Sequence, residues 1–404
     1  MEQDNNNDNI EGTEETYINP NEAHSEVVID QKPVVEDDED MMDEGGDEGM
    51  EDAEPEEDED FVDESVQGFF EHTDSVYCIN NNKVYPGVVA TGGGDDTAYI
   101  WNYTNGEKIH QLKGHTDSVS KIQFNFDGKL LATGGMDGIV KIWDAQSGTL
   151  QVNLEGPTES IECMEWHPKG NILLAGSSDC LAFMWSTLKG DIVGTFAGHN
   201  GPVTCAMFTP DGKKVITTSE DRSMKVWNPK DSTNQFTFTG HGFHENIITC
   251  MDIRKDSVIA VTGGDDHFAC VSNLNTGKVI GKLNGHTDAI VSISMSNVNQ
   301  NWCHTGSLEG TINVWDVNTL QQRSTFKHKN TVTKLLAHPT QPVVFSSSVD
   351  KTIGVWDERN GQLIKQFRGH QDSILDFDIT NDGRVISASD DKVSLVFSLN
   401  PPSN

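Results

Sequence analysis

Residues 114–144 read GHTDSVSKIQFNFDGKLLATGGMDGIVKIWD. The stretch opens on Gly114-His115 and closes on Trp143-Asp144. Between them lie three short runs in which apolar and polar residues alternate, separated by turns. Alternation of period two is the pattern of a half-buried β-strand.

Versions of this stretch recur to the end of the chain. Aligned on the Trp that ends the third run, they place Trp101, Trp143, Trp185, Trp227, Ser272, Trp315, Trp356 and Phe397 at one position. The steps are 42, 42, 42, 45, 43, 41 and 41 residues. A repeat of this length with Gly-His and Trp-Asp signatures marks one four-stranded blade per repeat. The expectation is an all-β, eight-bladed β-propeller over residues 63–400, preceded by a disordered acidic tail over residues 1–62.

The repeats resemble those of the WD40 family. That resemblance implies that four side chains in each blade form one buried hydrogen-bond chain. They are the His before the first strand, a Ser or Thr ending the second, an Asp in the turn six residues before the Trp, and the Trp. A Trp N–H needs an acceptor, a hydroxyl can relay, and an Asp can fix the His tautomer. Four blades fit fully. Blade one has His72, Thr91, Asp95 and Trp101, and blade two has His115, Thr133, Asp137 and Trp143. Blade four has His199, Thr217, Asp221 and Trp227, and blade seven has His328, Ser346, Asp350 and Trp356. Blade six substitutes Glu309 for the Asp. Blade three has Pro157 and Ala175 in place of the His and Thr. Blades five and eight end in Ser272 and Phe397.

The ends of the repeat array predict how the ring closes. Only seven residues follow Phe397, so blade eight lacks a fourth strand. A surplus strand precedes His72. Residues 64–70 are expected to supply the outer strand of blade eight, removing the two open edges of the array.

Charge is uneven along the chain. Residues 1–64 hold 28 Asp/Glu against one Lys, and the remainder holds 36 against 27 Lys/Arg. Too few apolar residues occur in the acidic part to offset the entropy of ordering it. Neither part has the concentrated positive charge that direct nucleic-acid binding needs. No leader pattern opens the chain, and no run approaches the ~18 apolar residues of a membrane span. Seven scattered cysteines without a CxxC pair read as reduced apolar fillers. The expected compartment is the cytoplasm, with the nucleus as a second, and the expected state is a monomer.

No catalytic, metal or cofactor site is expected. His244-Glu245 lacks the second His of a zinc-protease helix. Gly92-Gly93-Gly94 ends a strand rather than opening a helix, and Gly277–Lys282 has no Ser/Thr after its Lys, so neither cradles phosphate.

Partner binding is expected on the face where the Gly-His loops gather around the central channel. The resemblance points three positions per blade there: three and five residues after the His, and the residue before the turn Asp. Blade five carries three extra residues in this loop, around Phe243-His244-Glu245. Read with that shift, the 24 positions include Glu162, Glu220, Asp265 and Asp390, and no Lys or Arg. Tyr77, Leu308 and Leu375 are among their apolar members. An acidic ring with apolar anchors suits a basic segment carrying a few apolar side chains.

A closer resemblance is carried by MEWHPKGNILLAGSSD at Met164–Asp179, VSNLNTGKVIG at Val271–Gly281, and GHQDSILDFDIT at 369–380. Together with the acidic leader, these are similar to the family of angio-associated migratory cell protein and its fungal counterparts. The resemblance implies a non-enzymatic propeller that escorts a basic large-subunit ribosomal protein in 60S assembly. The alternative it leaves open is a signalling or cytoskeletal scaffold linked to migration.

Overall fold

The computed structural model describes residues 61–399. The acidic segment up to residue 60, read above as a tail, lies outside the described residues. The other residues build thirty-two strands in eight four-stranded antiparallel sheets. Blade two is typical: Val119–Phe124, Leu130–Gly135, Val140–Asp144 and Leu150–Leu154, paired in that order. Its middle strands are buried on both faces, whereas the outer strand alternates to solvent. Blade eight takes Ile374–Ile379, Arg384–Ser389 and Ser394–Ser398 from the C-terminal end and Gln67–Phe69 from the N-terminal side. Gln67 pairs with Val396 and Phe69 with Ser394. The ring is closed as the surplus strand predicts, with a paired core of three residues inside the expected 64–70.

The core sits between blades. Eight apolar clusters occupy the eight seams, each joining two neighbouring blades. Ile100 and Leu112 of blade one, for example, meet Val119, Leu131 and Trp143 of blade two. One blade alone would leave half of each cluster in water, so the repeats stabilise one another.

A second device ties six of the eight seams. The side chain eight residues after the tetrad His, or after Pro157 in blade three, accepts the amide of the next blade's inner strand. Asn80 accepts from Phe124 at 2.9 Å, Gln123 from Trp166 at 3.0 Å, and Glu165 from Phe208 at 2.7 Å. Asp252 accepts from Met295, Ser294 from Ala337 and Asp378 from Asn81. Met207 and Leu336 hold this position in blades four and seven and cannot accept.

Two of these acceptors carry a cost. Burial pushes the Glu165 carboxyl up to about 8, against the pull of the Phe208 amide, and pushes Asp252 up to about 6. A carboxyl raised on folding binds protons more tightly in the folded state. Its favourable contribution is therefore lost as pH rises from the ordinary carboxyl range through the raised value. Gln123 does the same work with a neutral amide. Glu165→Gln is expected to raise the melting midpoint clearly at pH 8 and little at pH 5. Equal changes at the two pH values would refute this account.

Candidate partner-binding face

The His-centred chains build the loops of this face. In blade two, His115 Nδ1 lies 3.1 Å from both oxygens of Asp137, its Nε2 2.8 Å from Thr133 Oγ1, and Trp143 Nε1 donates to that oxygen at 2.9 Å. Blade four repeats this. His199 Nδ1 lies 3.0 Å from Asp221 and its Nε2 2.7 Å from Thr217 Oγ1. Trp227 Nε1 donates to Thr217 at 2.8 Å. Blade seven uses a Ser in the relay. His328 Nδ1 lies 2.9 Å from Asp350 and its Nε2 2.6 Å from Ser346 Oγ. Trp356 Nε1 donates to Ser346 at 2.7 Å. Both Thr217 and Ser346 are wholly buried, so each hydroxyl is consumed by the fold and takes no part in partner contact.

Burial pushes the His115 imidazole down, which keeps it neutral despite Asp137. The proton then sits on Nδ1 toward Asp137, and Nε2 accepts from Thr133. Burial alone would raise the Asp221 carboxyl. Its bonds from His199, Ser223 and Asn200 outweigh that and hold it well below the usual range.

Blade one departs from the expected tetrad. His72 reaches Asp95 and Thr91 at 3.0 Å, but Trp101 Nε1 has no hydrogen-bond partner. Aromatic packing fixes the indole instead: Phe69 stacks on it at 5.0 Å and 10°, and Tyr99 stands edge-on to both Phe69 and His72. Blade six is complete with Glu309: His286 bonds Glu309 and Thr305, and Trp315 donates to Thr305. In blade five His244, rather than His241 of the Gly-His pair, bonds Asp266 and Thr262. In blade three, where Ala175 replaces the Thr, Trp185 Nε1 donates to the Glu155 carbonyl at 2.9 Å. Blade eight keeps the other three members, His370 with Asp391 and Ser387, beside Phe397.

Two of the three predicted positions are locked together in every blade. The amide of the residue before the turn Asp donates to the carbonyl three residues after the His. Glu220 N reaches Pro202 O, Asp265 N reaches Ile247 O, Leu308 N reaches Ala289 O and Asp390 N reaches Ser373 O, all at 3.0–3.1 Å. Asp265, Leu308 and Asp390 thus stand on braced loops. Leu308 is 41% exposed.

Glu162 and Glu220 come together in one recess of about 540 Å3 across blades two to five. Lys121, Met164, Thr204, Ile247 and Thr249 line it with them. Glu162 accepts from Ser160 and Ser178 at 2.6 and 2.7 Å. Neither carboxylate is paired with a Lys or Arg among the described residues. Tyr77 and Leu375 lie elsewhere, in the mouth of the central channel with Val291.

Two features escaped the sequence reading. Asp74, Asp117, Asp288 and Asp372 follow their His by two residues and bond the next amide, adding acids to the same loops. The recurring His-x-Asp was the available signal. The face is not free of cations either. Arg222, Lys351 and Lys392 follow the turn Asp in blades four, seven and eight at positive φ. Lys121 and Lys334 line the channel mouth. A β-bulge re-aims the start of the inner strand in all eight blades. The register steps from Val119 to Lys121, so Ser120 and Lys121 both reach the channel. Lys334 is paired with Asp376 at 2.5 Å.

The same eight units appear in comparison with known proteins. The WD domain, G-beta repeat family matches residues 63–102, 106–144, 148–186, 190–228, 232–271, 277–316, 320–357 and 361–397. The chain belongs to the WD40-repeat family. An uncharacterized WD repeat-containing protein of Schizosaccharomyces pombe is 38% identical over 96% of this chain and 98% of its own length. Human angio-associated migratory cell protein is 31% identical over 39% of this chain and 40% of its own length. Among solved structures, Chaetomium thermophilum Sqt1 bound to the N-terminus of the ribosomal protein L10 aligns with a TM-score of 0.78 at 24% identity. That alignment covers 83% of this chain and 100% of the Sqt1 chain. Saccharomyces cerevisiae Sqt1 aligns over 84% of this chain and 100% of its own at 23% identity, with a TM-score of 0.77. Among the described residues no helix is long and apolar enough to cross a membrane, and no group of His, Cys, Asp and Glu is arranged to hold a metal.

Proposed function

We propose that this WD40 protein is a non-enzymatic escort whose Gly-His face captures the basic N-terminal segment of a large-subunit ribosomal protein before 60S assembly. One observation carries the reading: Glu162 and Glu220 share a recess with apolar walls, outnumber the one lysine that lines it, Lys121, and form no salt bridge with a Lys or Arg among the described residues. A Lys- or Arg-rich segment supplies the missing charge, and Tyr77, Leu308 and Leu375 offer apolar contact. Asp265 and Asp390 extend the acidic field on neighbouring loops. The solved Sqt1 complex, similar in fold, supports a ribosomal-protein N-terminus as the kind of partner. Covering such a segment shields its charge until ribosomal RNA, with denser negative charge, competes for it. On this reading the protein acts as a monomer in the cytoplasm, with the nucleus as a second compartment. The acidic residues 1–62 form a separate unit from the propeller of 63–400.

The test is calorimetric titration of basic ribosomal-protein N-terminal peptides into the full chain at several salt concentrations. Binding that weakens as salt rises is expected, because exposed charges are screened beyond ~8 Å at physiological ionic strength. Absence of binding by any basic peptide would favour the rival reading, a signalling scaffold.

A further inference from the structure

Of the two lysines at the channel mouth, Lys121 is the one left without a partner among the described residues. It lines the acidic recess together with Glu162 and Glu220, and it lines the channel mouth together with Tyr77, Lys334 and Leu375. It therefore stands at the junction of the two cavities. The residue is half-buried, and no hydrogen bond or ion pair to another described residue engages its ammonium. Lys334, at the equivalent position of blade seven, is neutralised by Asp376. The charge of Lys121 is felt across the throat. Burial raises the thiols of Cys78, Cys163 and Cys205 on three other blades, and Lys121 pulls each of them back down.

Such a charge opposes the ligand class that the rest of the recess attracts. A Lys or Arg seated over the throat would meet a like charge in partly desolvated surroundings, where repulsion is stronger than in water. An uncharged residue there meets no penalty, and a carboxylate there pairs with Lys121. Specificity of this kind is built by repulsion as much as by attraction.

We infer that Lys121 is a specificity residue of the Gly-His face, selecting basic segments whose run of positive charge is interrupted by an uncharged or acidic residue over the channel throat. The inference rests on the basic-segment reading and deepens it. The segment's cations go to Glu162 and Glu220, and its interruption goes to Lys121. A uniformly cationic segment is disfavoured, which separates a shaped client from any polycation.

The probe is the tightest-binding basic peptide from the titration above, resynthesised with Ala, Lys or Glu at each position in turn. Against the wild-type full chain, one position is expected to disfavour Lys relative to Ala by about tenfold. Lys121→Gln should abolish that penalty, and Lys121→Arg should keep it. Melting curves of both variants should match the wild type, since the Lys121 ammonium holds no structural bond. No position-specific penalty, or a penalty unchanged in Lys121→Gln, overturns the inference while leaving the basic-segment reading standing. If no basic peptide binds wild type or variant, that reading fails and takes this inference with it.

Discussion

Removing the chain through Phe70 is expected to lower the thermal midpoint of the propeller by several degrees or more, whereas removal through Asp60 leaves it unchanged. Among the described residues, the contacts at stake lie between the two cuts. Glu64 N donates to Arg368 O, and its carboxylate accepts the Arg368 amide. Val66 N donates to Val396 O, and Gln67–Phe69 completes the sheet of blade eight. Without them the Ser394–Ser398 strand becomes an open edge. Phe69 matters most. It is 1% exposed and joins Val76, Tyr99 and Trp101 of blade one to Ile386 and Val396 of blade eight. Trp101, lacking the hydroxyl partner that Thr217 gives Trp227 and Ser346 gives Trp356, depends on the Phe69 ring for its placement. Phe69→Ala alone should cost roughly 3–5 kcal/mol, the range for a fully buried Phe. Comparing that variant with the truncation separates ring packing from strand pairing. Equal midpoints for the two truncations would mean that the ring is not held at this seam.

The fold was legible because each blade repeats the same instruction. Gly-His, alternating strands, a turn Asp and a Trp recur at nearly fixed spacing, so one repeat read correctly reads eight. The surplus strand before His72 could be assigned because a ring leaves it one place to go. The face was less legible for a physical reason. The family resemblance points to three positions per blade, and it does not report the further side chains that the bulge at the start of each inner strand turns toward the channel. Glu162 and Tyr77 were found because they sit on the bulge itself. Lys121, one residue beyond the equivalent bulge of blade two, was assigned no place on the face, yet it reaches the channel. Trp101 shows the converse. Its sequence neighbours satisfy the tetrad, but Phe69, from the far side of the ring closure, decides where the indole lies. A local pattern does not report a contact made by a strand that the topology brings in from elsewhere.

Reversing Glu162 and Glu220 to Lys together is expected to abolish most binding of a basic peptide while leaving the fold intact. The two carboxylates are the natural pair to change because they share one recess, whereas Asp390 stands on another blade and lines neither cavity. Two attractions become two repulsions. The loss should be roughly 2–5 kcal/mol if the contacts are desolvated, and smaller if they lie on a wet rim. Folding has little reason to change. Glu220 is tied to the blade through its backbone amide. Glu162 loses its bonds from Ser160 and Ser178. Those hydroxyls remain 2.9 Å apart and bond each other. The neutral double variant, Glu162→Gln with Glu220→Gln, should fall between wild type and the reversal. It should also bind with a shallower salt dependence, because two screened attractions are gone. Tyr77→Ala and Leu375→Ala test the apolar half of the contact and should weaken binding with little effect on the salt slope. Calorimetry against one basic peptide, with melting curves for each variant, reads all of these. Undiminished binding by the reversed protein would remove the Gly-His recess as the capture site, since no basic segment can seat on it without meeting those two positions.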